Sequence, residues 1–353
     1  MIVGSDSQIL HSARDGETAV SATETLSAQV ARLDAALEAA DLRIERMSRQ
    51  IARLEERMSK GWLRSKFSQK MMVFDQYAPR VLKTPPAYEN TLPPDPAPRI
   101  AIVTPSFNQG RFLGATIESV LGQNYPNLAY HVQDGGSTDK TASVLKRFGS
   151  GFTWASRPDD GQAEAINRGF ATVDGDIMSY LNSDDLLTPG ALAYVARFFL
   201  ANPDIDVAYG HRIIIDADGY EIGRAVLPPH DPEALKWFDY VPQETLFWRR
   251  RVWTALAGMD EKFHFALDWD FILRAQAAGM RFRRLPRFIG CFRVHTRQKT
   301  TFASGTGSKE MAILRQRMLG RVPSDREVRQ KIKPYLRRHV VVHRLYKLRV
   351  LDY

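Results

Sequence analysis

Apolar residues recur at alternating steps of four and three from Leu26 to Met58, through Val30, Leu33, Leu37, Ala40, Ile44, Met47, Ile51 and Leu54. This is a heptad seam with two apolar positions in seven, and no Pro or Gly interrupts it before Gly61. So narrow a stripe cannot cover a globular core. The pattern therefore predicts a helix over 24–60 that self-associates as a coiled coil, with a lone solvated helix as the alternative. Ile44 and Ile51 at one seam position, with Leu33 and Leu54 at the other, match the parallel two-stranded preference. Cross-chain charge pairs are sparse, so strand number stays open. Residues 1–23 are expected to be disordered. Six prolines between Pro85 and Pro98 mark 61–98 as an extended, semi-rigid connector.

From Arg99 the pattern changes to alternating strands and helices. RIAIVTPSF reads as a buried strand stopping at Pro105, and GRFLGATIESVLGQ as a helix. LAYHVQDGG is a second strand, followed by a helix in TDKTASVLKRF capped by Thr138 or Asp139. GFTWASRP, DIMSYLN and DVAYGHRIII continue the strands, and GQAEAINRGFATV and TPGALAYVARFFLANP the helices, the last with Pro189 in its first turn. DADGYEIG reads as a hairpin turn. The alternation predicts an α/β domain with a mainly parallel sheet over 99–307. In such sheets ligands bind beyond the carboxyl ends of the strands. TPSFNQG, QDGGSTD, RPDDGQ and NSDD all fall there.

Composition narrows the setting. The chain has 353 residues, 44% hydrophobic and 25% charged, ordinary values for a protein with a real core. Its one cysteine, Cys291, excludes a disulfide within the chain and fits a reducing compartment. No run of about eighteen apolar residues spans a membrane, and the first residues lack the flanks of a secretory signal. A cytoplasmic location is expected. The net charge of +9 points to an anionic partner, and RQKIKPYLRRHVVVHRLYKLR carries much of the excess. Residues 308–353 read as a basic helical region that either lies on an anionic membrane surface or packs on the domain.

The clusters carry chemistry. In VQDGGSTDKT, Asp134 ends a strand and two glycines permit close ligand approach, so the acid either binds a base or ribose or satisfies its own turn. Asp184 and Asp185 of YLNSDDLL suit a hard divalent cation, and helix capping by Asp185 or Thr188 is the plainer reading. Asp268 and Asp270 sit in an apolar run, FHFALDWDFIL. Burial there raises a carboxyl pKa and suits a general base; the alternative is an N-cap by Asp268 with Arg274 as its partner. His295, in CFRVHTRQKT, is a metal ligand, a phosphate contact or a satisfied loop histidine. No Walker sequence is present.

The order TPSFNQGRFLGATIESVLGQNYPN, QDGGSTD, DDGQAEAINRGF, YLNSDDLL and LDWDFILR resembles the family 2 glycosyltransferases over roughly 99–300. The resemblance implies a GT-A fold and an inverting transfer from a nucleotide-diphosphate sugar to a hydroxyl acceptor, in surface polysaccharide or glycolipid synthesis. It implies that Phe107 and Asp134 hold the nucleotide base, with a UDP-sugar favoured, and that Gln162 and Asn182 also meet the nucleotide. Asp184 matches the last acid of the D-x-D motif, with Asp185 beside it and His295 completing a Mn2+ or Mg2+ site. Asp268 matches the general base, although the usual preceding Glu is Leu267 here. Gln243, Glu244 and Trp248 are placed in the sugar or acceptor pocket.

Partners expected on this reading are the donor, a hydroxyl acceptor, lipid-linked or free, and further copies of the chain through the coiled coil. Peripheral contact at the inner face of the cell membrane is expected too, and nucleic acid is not. Two rivals stand beside it. A nucleotidyltransferase would want a Gly-rich basic loop after the first strand, and TPSFNQGRF has one glycine and one late arginine. An inactive transferase-like scaffold is kept open by Asn182 and Leu267.

Overall fold

The computed structural model describes residues 76–149, 151–296 and 304–353. The expected coiled coil, the residues before it and the connector up to residue 75 lie outside the described residues. In chain order the elements are α1 (Pro86–Glu89), β1 (Ile100–Ser106), α2 (Leu113–Leu121), β2 (Leu128–Asp134), α3 (Thr141–Arg147), β3 (Thr153–Ser156) and α4 (Gln162–Thr172). Then come β4 (Ile177–Tyr180), β5 (Leu186–Leu187), α5 (Ala191–Ala201), β6 (Val207–Ile215), β7 (Glu221–Ala225), α6 (Pro232–Leu235) and a 3-10 turn, Gln243–Thr245. β8 (Phe247–Arg249), α7 (Arg250–Leu256), α8 (Leu267–Ala277), β9 (Phe282–Arg293), α9 (Ser304–Leu319) and α10 (Asp325–Lys347) complete the chain.

One nine-stranded sheet has the order β3-β2-β1-β4-β8-β6-β9-β5, with β7 paired to β6. β3, β2, β1 and β4 are parallel neighbours. β8 runs against both β4 and β6, and β9 is parallel to β6. Six strands therefore share one direction, while β5, β7 and β8 oppose it. β6 and β7 form the hairpin read in DADGYEIG, with Gly219 at φ 88°.

The strands read as continuous apolar runs because helices cover both faces. Ile100, Ile102, Leu113, Ile117 and Leu192 build one core layer, and Val103, Ile166, Tyr180, Trp248 and Phe271 the other. β1 does not stop at Pro105. It continues to Ser106, because β4 pairs only as far as Val103 and β2 takes up the bonds on the other side. A proline is tolerated where no neighbour needs its amide. Pro189 likewise falls outside its helix, since Gly190 at φ 63° forms the N-cap and α5 begins at Ala191.

The described part of the connector lies along the domain. Gln76 donates its amide to the Ile222 carbonyl, Arg80 bridges Glu221, and Tyr88 accepts the Phe288 amide on its hydroxyl. α10 packs on the domain through Val328, Tyr335, Leu336, His339 and His343, with the Tyr335 ring 4.2 Å from that of Tyr240. Arg338 pairs with Asp231 and Lys331 lies over the Trp237 ring on the same side, while Arg326, Arg329, Lys333, Arg337, Arg344 and Lys347 are exposed. Among the described residues no helix is long and apolar enough to cross a membrane.

Candidate active site

The loops after β1 and β2 fasten each other. Asp134 is 1% exposed. Its carboxylate accepts the Ser137 amide and hydroxyl at 3.0 and 2.5 Å and the Ser156 hydroxyl at 2.6 Å. Asn108, at φ 53°, accepts the Thr138 amide at 2.9 Å and donates its own amide to Ser137 at 2.7 Å. A Cβ at Gly110 would lie 2.6 Å from the Thr141 nitrogen, so the approach of the two loops requires glycine. Neither Thr138 nor Asp139 is the N-cap of α3; that is Lys140, which makes no side-chain capping bond, and Asp139 one residue earlier accepts the Thr141 amide. Phe107 sits one residue beyond the Ser106–Asp134 register pair and is 61% exposed. Asp159 of RPDDGQ completes the group: a Cβ at Gly135 would meet its carboxylate at 2.7 Å. Burial pushes the Asp159 carboxyl up, and the charge of Asp134 adds to that.

From α4, Gln162 donates to the Asn182 side-chain oxygen at 2.6 Å, and Asn182 donates to Asp185 at 3.4 Å. The two adjacent acids part company here. Asp185 is 1% exposed and accepts the Arg293 amide at 2.9 Å. Burial, then the charges of Asp184 and Glu244, push its carboxyl well above the usual range. Asp184 meets His295 Nε2 at 3.0 Å, and the histidine ring lies 4.5 Å from Phe112. Arg293 fixes this corner by donating to the Asp184 carbonyl at 2.7 Å and to the Asp216 and Ala217 carbonyls at 3.2 Å. Helix capping is not what these groups do. β5 intervenes before α5, whose N-cap makes no side-chain bond, and Thr188 donates to the Phe288 carbonyl.

Asp268 lies in the first turn of α8, where its carboxylate accepts the Trp269 amide at 2.8 Å. Burial raises its pKa. Asp270, two residues on, faces another way and is pinned by Arg274 at 2.7 Å and by Arg317. The N-cap of α8 is Ala266, and Arg274 serves Asp270, so the capping reading of Asp268 fails. Asp239 shares the neighbourhood of Asp268. Burial and that second negative charge push its carboxyl well up.

Gln243 and Glu244 are buried in the 3-10 turn. Gln243 donates to the Tyr180 carbonyl at 2.7 Å, while its side-chain oxygen is buried with no partner among the described residues. Glu244 forms a two-pronged ion pair with Arg212 at 2.7 and 2.5 Å. Trp248 is not in a pocket. It is 0% exposed, 4.8 Å from the Phe271 ring and stacked on Trp253 at 6.1 Å, because β8 is an interior strand whose alternate side chains enter the core.

Asp159, Arg212, Asp239 and Phe112 were not singled out by sequence. Asp239 carried a readable signal, an acid inside the aromatic run KWFDY. Arg212 carried none: it is a single basic residue in an apolar run, and nothing around it marks Glu244 as its partner. Among the described residues no three His, Cys, Asp or Glu side chains are grouped to hold a metal. Asp184 and His295 offer two donors, an oxygen and a nitrogen. They fit a divalent ion whose shell is completed by substrate phosphates and water.

The model of the family described as Glycosyl transferase family 2 matches residues 101–263. An uncharacterized glycosyltransferase of Mycobacterium tuberculosis is 30% identical over 185 residues, covering 51% of this chain and 69% of that one. An O-antigen biosynthesis protein of Myxococcus xanthus is 32% identical over 189 residues, 51% of this chain but only 15% of that protein. A mannosyltransferase of Pyrobaculum calidifontis, solved with GDP-Man and Mn2+, is similar in fold. The TM-score is 0.51 at 16% identity, over 78% of this chain and 75% of that one.

Proposed function

This chain belongs to glycosyltransferase family 2 and has a GT-A-like α/β fold, and from that premise we propose that it moves a sugar, with inversion, from a nucleotide-diphosphate donor to a hydroxyl acceptor. The observation that carries the reading is the division of the acids into two kinds. Asp184 is paired with a histidine at the β5 end, and Asp268 is half-buried at the start of α8 with no ion-pair partner among the described residues.

The buried Asp134 and exposed Phe107 suit the nucleotide base, and the Gln162–Asn182 pair suits the ribose. A uracil base is favoured. Asp184 and His295 would hold Mn2+ or Mg2+, and such an ion neutralises charge gathering on the leaving diphosphate. Asp268 takes the proton of the acceptor hydroxyl as the new bond to the anomeric carbon forms and the bond to the diphosphate oxygen breaks. No nucleophile of the enzyme is needed, and attack opposite the leaving group inverts the centre. The unpartnered oxygen of Gln243 suits a donor-sugar or acceptor hydroxyl.

The name of the Myxococcus relative supports an acceptor in surface polysaccharide or glycolipid synthesis. The exposed Arg and Lys of α10, with Val341 on it and Leu348 and Val350 just after it exposed, suit an anionic membrane surface where lipid-linked acceptors lie. The heptad seam suits homo-oligomers. The direct test is a donor screen with UDP- and GDP-sugars, with Mn2+ and with EDTA. Release of one nucleoside diphosphate only with the metal is expected. Absence of turnover and of nucleotide binding across the screen overturns the proposal.

A further inference from the structure

The acids at 184 and 185 ride on a piece of chain with little pairing of its own. β5 is two residues long and meets β9 only at Cys291 and Gly290, against about 5–6 residues for an ordinary strand. Two arginines of β9 bracket this piece. At its start Arg293 gives its amide to the Asp185 carboxylate and its Nε to the Asp184 carbonyl. At its end Arg287 donates to the Pro189 carbonyl at 2.8 Å. Between them Thr188 gives its amide to the Ile289 carbonyl and its hydroxyl to the Phe288 carbonyl.

Arg287 is 6% exposed, and among the described residues no carboxylate pairs with it. A buried cation is costly unless its donors are met. Its other bonds go to the connector, to the Thr91 hydroxyl at 2.9 Å and the Tyr88 carbonyl at 3.3 Å. The guanidinium also lies 3.8 Å from the centre of the Tyr88 ring. Tyr88 returns to β9, its hydroxyl accepting the Phe288 amide at 3.0 Å where the β6–β9 register is irregular. Gly190 shows how closely the connector and the acid-bearing piece fit. Its φ is 63°, and a Cβ there would lie 2.1 Å from the Tyr88 carbonyl oxygen and 3.1 Å from Arg287 Nη2. One guanidinium thus joins β9, the connector and the chain that follows the two acids.

We propose that Arg287 is a positioning residue of the metal corner: by tying Tyr88 and Thr91 of the connector to Pro189, it fixes β5 on β9 and holds Asp184 against His295. The inference rests on the reading of Asp184 and His295 as the groups that hold the divalent ion. Arg287 touches neither. It acts through the backbone, as residues that orient metal ligands do. On this view residues 88–91 belong to the catalytic unit although they precede its first strand.

The test is calorimetry of UDP and GDP binding to the full chain, in Mn2+ and in EDTA. Arg287→Met is expected to cut the gain in affinity that Mn2+ confers by about 10–100-fold, with affinity in EDTA unchanged. Arg287→Lys should recover part of it. Thr91→Val removes only one connector contact, so it serves if Arg287→Met does not fold; a smaller loss in the same direction is expected. An unchanged Mn2+ gain in these variants, or equal losses in Mn2+ and EDTA, overturns the proposal. Hydrogen exchange without metal reads the same coupling. The Thr188 amide, bonded to Ile289, and the Arg293 amide, bonded to Asp185, should both lose protection in Arg287→Met and in Thr91→Val. Faster exchange confined to connector amides such as that of Thr91 overturns it. A wild-type protein whose nucleotide affinity gains nothing from Mn2+ sinks the metal reading, while exchange at Thr188 and Arg293 still judges the role of Arg287.

Discussion

The two halves of the site are built differently. In the first half β3, β2, β1 and β4 lie side by side in parallel, and their loops bond to near neighbours in sequence: Asn108 reaches Thr138, 30 positions on, and Asp134 reaches Ser156, 22 positions on. Its acids are satisfied by hydroxyls and amides. In the second half the strands change direction, and acids meet partners far along the chain. Asp184 finds His295 across 111 positions. Asp268 and Asp239 are left with raised carboxyls and no ion-pair partner among the described residues. The first half is a cradle whose groups are held before a ligand arrives. The second half holds charge in an unfavourable place, which suits the proton transfer and metal binding proposed for it.

The sharpest way to break this comparison is at the base. Asp268→Asn should lower turnover by about 10²–10⁴-fold, the range of general-base contributions, with nucleoside diphosphate affinity in calorimetry unchanged. Lost nucleotide binding would instead move Asp268 into the donor half. The wild-type rate should fall as pH drops through the Asp268 value, from a higher pH than an ordinary carboxylate would set, because burial raises that value. A rate flat down to about pH 4 would remove the base assignment.

Asp184→Ala should next abolish the gain in nucleotide affinity that Mn2+ confers, leaving the level measured in EDTA. Unchanged affinity in Mn2+ would end its role as a ligand. Asp239 tests the charge imbalance through stability. Its raised carboxyl supports folding fully below the unfolded-state value of 3.8, and that support is lost as pH rises through the folded-state value. Asp239→Asn should therefore raise the melting temperature at pH 7 by about 2–4 °C, with the gain closing as the solution is acidified. A melting temperature unchanged at pH 7 would show that Asp239 is not held against its preference. The smallest effect is expected in the cradle. Phe107→Ala should weaken nucleotide binding by about 0.5–1.5 kcal/mol without moving the pH profile.

The same division governs what could be read in advance. The loops of the first half were legible because each cluster is local: strand end, glycine turn and helix start follow one another within a few residues, and Asp134, Gln162 and Asn182 stand in those clusters. Trp248 was placed in the sugar or acceptor pocket beside Gln243 and Glu244, whereas β8 runs inside the sheet between β4 and β6 and its ring enters the core. Pro105 was misread because a proline ends a strand only where its amide is wanted, and pairing on the β4 side is already over there. Arg212 was invisible because a basic residue in an apolar run has no partner until β9, β6 and the 3-10 turn are brought together.

The sequence by itself determined the alternation of strands and helices, the polar loops at the strand ends, and the presence of two acids at 184 and 185. Short-range patterning suffices for these, since each is set by neighbours along the chain. Which of the two acids turns toward His295 was decided only by tertiary structure. β5 pairs with β9 so that Leu186 faces Cys291 and Leu187 faces Gly290. That register sets Asp185 on the Arg293 amide, shut away from solvent, and leaves the Asp184 carboxylate against the histidine. Two identical side chains, adjacent in sequence, become unlike because a strand pairing more than 100 positions away in sequence gives one of them a buried donor and the other an imidazole.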